Sequence, residues 1–152
     1  MIKIEELKEK TISSEKIYEG AVLNLRRDKV VLPDKNNSYR EVVEHSGGVT
    51  ILALNEEGKI LMVKQYRKAV DNVLLELPAG KLEKGEERAK CAKRELWEET
   101  GYKAAKIKKI FTFYTSPGYS SEKLNLYLAE DLKFDPGDAL DPGEFIEHAV
   151  LE

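Results

Sequence analysis

The sequence predicts an α/β fold: a mixed β-sheet sandwich flanked by helices, with an antiparallel sheet added at the N-terminus. Three observations point there. Short runs rich in β-branched and aromatic residues recur between turn residues. One long segment, 86–100, has no Gly or Pro and repeats apolar residues at helical spacing. That helix falls between strands, in mixed order, rather than in a separate helical block.

Taken in order, residues 16–31 (KIYEGAVLNLRRDKVV) and 39–45 (YREVVEH) are strand-like and are separated by the turn-rich PDKNNS. They define an N-terminal sheet over residues 1–45, and residues 46–152 form the main body. Ser46-Gly47-Gly48 lacks the Gly-Lys-Ser/Thr ending of a P-loop and precedes a strand, so it reads as a strand-entry turn. Residues 49–54 and 59–65 form a hairpin with 55–58 (NEEG) as its turn. Residues 74–77 make a short strand ended by Pro78. Ala89, Ala92 and Leu96 mark one face of the helix, and Gly101 ends it at the expected left-handed position. Strands over 107–114 and 124–129 flank the loop 115–123. A turn-rich acidic tail, 135–143, precedes a last short segment, FIEHAV.

The composition limits the function classes. A chain of 152 residues, 41% hydrophobic and 35% charged, is long enough for a real core. Its net charge of −3 argues against nucleic acid or an anionic membrane surface as the main partner. Its one cysteine, Cys91, permits no intrachain disulfide, which fits a reducing compartment. The N-terminus shows no signal-peptide pattern, and no apolar run reaches the ~20 residues a membrane helix needs. A cytoplasmic location is expected.

The helix carries the chemistry. At about 100° per residue, Glu95, Glu98 and Glu99 share an arc of roughly 100°, beside the apolar Leu96, Ala92 and Ala89. A Glu-rich helix face is ordinarily a solvated surface. Crowded carboxylates repel unless a cation sits among them, and Mg²⁺ is a hard ion that takes oxygen ligands and leaves positions for phosphates. The spacing around the stripe favours that second reading. From Gly80, five residues lead to Glu86 and seven more to Arg94-Glu95-Leu96, followed by Glu98-Glu99, Gly101 and Tyr102. This matches the Nudix box, G-x5-E-x7-R-E-U-x-E-E-x-G-U with U apolar, with Tyr102 a loose fit at the last place.

The chain therefore resembles Nudix hydrolases, and the ADP-ribose pyrophosphatase branch among them. Leu75-Glu76-Leu77-Pro78-Ala79-Gly80-Lys81 and Ser116-Pro117-Gly118-Tyr119-Ser120-Ser121-Glu122 look like that branch, which carries a proline fifteen residues after the box, here Pro117. Tyr119 is a counter-signal, since diadenosine polyphosphate hydrolases carry a tyrosine at about that offset.

The resemblance implies Mg²⁺-dependent cleavage of ADP-ribose to AMP and ribose 5-phosphate, with Mn²⁺ as the alternative ion. It implies metal ligation by Glu95, Glu98, Glu99 and the carbonyl of Ala79, with Glu98 also catalytic. Arg94 and Glu86 correspond to a structural ion pair. Glu122 matches a loop glutamate that is catalytic or metal-assisting, although a loop Glu is more often simply solvated. Arg67 matches a diphosphate clamp. Arg40, Glu41, Glu83, Ser116 and Gly118 fall at substrate-side positions. The resemblance further implies a homodimer built through the N-terminal sheet, and a C-terminal helix that is missing or short here.

Two other readings stay open. One is a Nudix hydrolase of another nucleoside diphosphate sugar or a dinucleoside polyphosphate. The other is a non-catalytic Nudix-fold binding module, which the retained Glu95, Glu98 and Glu99 disfavour. A purely structural assembly protein has no positive support. His45 and His148 lack partners at metal-ligand spacing and read as ordinary polar residues, Cys91 as a small core side chain, and Trp97 as facing away from the stripe.

Overall fold

Three strands open the chain after a short 3-10 helix, Ile4–Leu7: β1 (Lys10–Glu19), β2 (Asn24–Val31) and β3 (Asn37–Glu44). The computed structural model describes residues 4–136 and 145–151. The three strands form an antiparallel sheet in the order β1-β2-β3. The strand-like run 16–31 divides between the end of β1 and the whole of β2. The chain turns after Gly20, whose amide donates to the Leu23 carbonyl at 3.1 Å, and the first strand starts earlier, at Lys10. Every residue of β1 is exposed.

The larger sheet has seven strands. They are β4 (Gly48–Leu54), β5 (Ile60–Arg67), β6 (Asn72–Glu76), β7 (Ala79–Lys81), β8 (Tyr102–Tyr114), β9 (Lys123–Phe134) and β10 (Ile146–Leu151), and one helix, α1 (Arg88–Thr100), lies between β7 and β8. The main path runs β10-β5-β4-β9-β8, with β4 and β9 parallel. The β4–β5 hairpin closes as expected: Gly58 has φ +76, and the Asn55 side chain accepts from the amides of Glu57 and Lys59 at 3.0 and 2.9 Å.

The two hairpin strands share only a short ladder, Ala53–Leu54 against Leu61–Ile60. Beyond it they separate. The far part of β5 pairs with β6, and the near part of β4 pairs with β7. The linking residue Pro78 is fully buried, and its carbonyl accepts from Ile51 N at 2.8 Å. This splay carries the chain from β6 to the start of β4, where Ala79 and Gly80 lie beside the helix. The three-residue β7 has no sequence signature of its own.

The helix packs on β4 and β7 through Cys91, Ala92 and Leu96, all fully buried, against Val49, Ile51 and Tyr127. It begins after Gly85, whose φ of +82 only glycine adopts at low cost, and stops at Gly101, with φ +71 and its amide on the Trp97 carbonyl at 2.8 Å. The strands around it are longer than expected, β8 starting at Tyr102 and β9 reaching Phe134. The acidic tail expected over 135–143 falls mostly outside the described residues.

Contacts divide the chain into two compact units. One holds the residues up to Ser46 together with Tyr114–Lys123, and the other holds Gly47–Phe113 and the residues from Leu124 onward. No helix among the described residues is long and apolar enough to cross a membrane.

Candidate active site

Close backbone approach organises the larger unit's polar centre. A Cβ on Gly48 would lie 2.5 Å from the Gly80 carbonyl oxygen, so β4 starts this close to β7 only with glycine at position 48. Buried Asn125 on β9 fixes the same corner. Its Nδ2 donates to the Gly48 carbonyl at 3.3 Å, and its Oδ1 accepts from Thr112 Oγ1 at 3.1 Å. Gly80 in turn faces the helix. The Glu95 carboxylate occupies the space its side chain would take, with all three carboxylate atoms between 1.9 and 2.1 Å of the ideal Cβ position.

One turn on, Glu99 is 5% exposed, and its Oε2 accepts from the amide of Ala79 at 2.8 Å. Burying a carboxylate is costly unless it is hydrogen-bonded, and this bond ties the helix to the loop.

Arg94 joins the remaining carboxylates. Its Nε and Nη2 bind Glu86 in a fork, both at 2.9 Å, and Nη1 donates to Glu95 at 2.9 Å and Glu98 at 2.7 Å. The guanidinium holds the Glu86 carboxyl down at about 2. The same hydrogen bonds push the arginine's own pKa further up, so it stays charged at any working pH. Three carboxylates share this one guanidinium, so the group keeps a negative charge. As placed, the carboxylates are engaged with Arg94 and the Ala79 amide, and no three His, Cys, Asp or Glu among the described residues converge as a metal-binding group. Cys91, beneath the stripe, is buried; burial pushes its thiol up to about 12, as suits an inert core residue.

Other residues singled out from sequence are spread over both units. Arg67, at the end of β5, is held by Glu76 on β6, with Nε on Oε1 at 3.0 Å and Nη2 on Oε2 at 2.7 Å. Glu83 is exposed, and its amide donates to Glu86 Oε2 at 3.1 Å. Trp97 Nε1 donates to the Asp135 carbonyl at 2.8 Å, and Lys103 lies 4.7 Å over its ring.

In the smaller unit, Arg40 on β3 bonds Glu9, Ser38 and the Tyr39 carbonyl, while Glu41 is exposed. Ser116 caps the turn before Glu122, its carbonyl accepting from Tyr119 N and Ser120 N at 3.1 and 2.8 Å. Gly118 is exposed, with open space where a side chain would stand. Glu122 is not simply solvated. His45 Nδ1 lies 3.2 Å from its Oε1, and Thr115 Oγ1 donates to its Oε2 at 2.7 Å. By sequence His45 reads as an ordinary polar residue, and no local spacing pairs it with a glutamate so far along the chain.

Comparison with known proteins bears on both units. A family model described as NUDIX domain matches residues 44–151, and one described as Nucleoside diphosphate sugar hydrolase N-terminal domain matches residues 9–43. ADP-ribose pyrophosphatase of Bacillus subtilis (strain 168) is 51% identical over 142 residues, covering 93% of this chain and 77% of that protein. Methanol dehydrogenase activator of Bacillus methanolicus is 46% identical over 140 residues, covering 91% and 76% respectively. A crystal structure of an ADP compounds hydrolase matches in fold, with a TM-score of 0.82 at 19% identity over 95% of this chain and 78% of that one.

Proposed function

The chain belongs to the Nudix family, and from that premise we propose that it is a hydrolase cleaving the diphosphate of ADP-ribose, giving AMP and ribose 5-phosphate. The observation that carries this reading is Glu95 lodged against side-chain-free Gly80, with Glu98 and Glu99 on the same helix face. The name of the B. subtilis relative supports the substrate.

The donor chemistry fits a hard divalent cation. Glu95, Glu98, Glu99 and the Ala79 carbonyl would hold Mg²⁺ or, alternatively, Mn²⁺, all through oxygen. A carboxylate offers about four lone-pair positions, so a bond to Arg94 does not exhaust Glu95 or Glu98. The bound ion would neutralise diphosphate charge and lower the pKa of an attacking water.

The protein's own groups do the rest. Arg94 holds Glu86 and steadies the stripe. Arg67, already oriented by Glu76, clamps the diphosphate. Glu122 takes the proton of the attacking water as its oxygen bonds to phosphorus and the bridging phosphorus–oxygen bond breaks. Glu98 assists in the same step. Arg40, Glu41, Glu83, Ser116 and Gly118 complete the contacts to the nucleoside and ribose ends.

The protein works as a cytoplasmic homodimer in this reading, through the N-terminal sheet, whose fully exposed β1 carries Ile12, Ile17 and Tyr18. Sedimentation at micromolar concentration checks this, and a monomer there rules it out.

Hydrolysis of another nucleoside diphosphate sugar is a second reading, favoured by the description of the model matching residues 9–43. One assay separates them. With Mg²⁺ present, products are measured from ADP-ribose, other nucleoside diphosphate sugars, NADH and dinucleoside polyphosphates. AMP release fastest from ADP-ribose is expected, and much faster turnover of any other compound overturns the substrate.

A further inference from the structure

We propose that His45 is a positioning residue for Glu122, holding its carboxylate in one orientation before substrate arrives; this rests on the reading above, in which Glu122 accepts a proton. The geometry lies within one compact unit. His45 Nδ1 is 3.2 Å from Glu122 Oε1, and the imidazole is largely enclosed, with 12% of its side chain exposed. Thr115 Oγ1 donates to the other carboxylate oxygen at 2.7 Å. With the imidazole carrying its proton on Nδ1, each oxygen meets a donor while lone pairs remain for a proton.

The backbone is tied as well as the side chain. The His45 amide donates to Ser121 Oγ at 3.1 Å, and the Glu122 amide donates to Ser120 Oγ at 3.1 Å. On β3, Val43 N donates to the Tyr119 carbonyl at 2.8 Å, and the Val43 carbonyl accepts from Ser121 N at 2.9 Å. The loop thus runs beside the end of β3 as a short parallel bridge, Val43 to Ser120. A glutamate side chain free on a loop samples many rotamers, whereas one held at both oxygens and through its own backbone has already lost that freedom. A preset carboxylate shortens the search for the reactive arrangement, which is an effect on turnover rather than on substrate affinity.

The test is a kinetic cycle on the full chain with ADP-ribose and Mg²⁺. Glu122→Gln reports whether the glutamate matters. His45→Ala and His45→Leu remove the donor, the second keeping bulk in case the first does not fold. His45→Asn keeps it, because an asparagine Nδ2 stands where the imidazole Nδ1 stands.

The expected result is a fall in kcat of about tenfold or more for H45A and H45L with KM within about twofold. H45N should recover most of that loss, and H45A should add nothing when Glu122 is already Gln. Near-normal kcat in H45A and H45L beside a slow E122Q overturns the positioning role and leaves the glutamate's role intact. Equal loss from H45A with and without Glu122, or no recovery in H45N, assigns His45 to structure alone and also overturns it. Near-normal kcat in E122Q removes the role of Glu122, and the inference with it.

Discussion

Gly80 and Glu95 share a space that only glycine leaves open, the carboxyl carbon lying 1.9 Å from where a Cβ of residue 80 would stand. The obstructing atoms are the far end of a flexible side chain, so an added methyl displaces Glu95 rather than the backbone. For Gly80→Ala this predicts a small stability change, about 1 kcal/mol, the scale of one unfavourable rotamer. Metal-dependent turnover should nevertheless fall by on the order of a hundredfold. Urea denaturation together with steady-state kinetics checks the contrast, and parallel losses in both would contradict it.

Glu99 gives a complementary prediction. Glu99→Gln keeps an amide oxygen to accept the Ala79 N–H, so the fold should survive. The negative charge is lost, and Mg²⁺-dependent hydrolysis should drop below detection. Circular dichroism and product release at saturating Mg²⁺ read the two effects. Near-normal turnover would remove Glu99 from the metal site.

The Arg94–Glu86 fork predicts an acid limb of stability. The folded-state pKa of Glu86 lies at about 2, below the ordinary carboxylate value of 4.5. Its contribution to stability is therefore complete above the unfolded value and is lost as pH falls through about 2. Glu86→Gln has no such titration. The stability gap between wild type and E86Q, measured by denaturant melts, should be widest above pH 5 and should narrow toward pH 2. A gap that stays constant across that range would refute the assignment.

How legible these features were depended on how local their causes are. The helix, its glycine stop and the Asn55 turn follow from residues within a few positions of one another, and the carboxylate stripe follows from the helix period. Strand β7 was not legible. Ala79-Gly80-Lys81 has no strand propensity and exists because β4 supplies its partners. The break in residues 16–31 was hidden because Ala21, Val22 and Leu23 continue an apolar run through a turn. The polar, wholly exposed β1 has no buried face to impose alternation. The contact of His45 with Glu122 joins distant parts of the chain, and neither residue type announces the other.

The short bridge between Val43 and Ser120 also bears on how this protein can be recombined. The loop between β8 and β9 shares two backbone hydrogen bonds with Val43 at the end of β3, so its natural unit of exchange is not the hairpin that carries it. A chimera that grafts only residues 115–122 from a relative would part the loop from the strand that sets its register. One that moves residues 37–46 with it keeps the pair matched, and in this chain those two segments are inherited best as a single module.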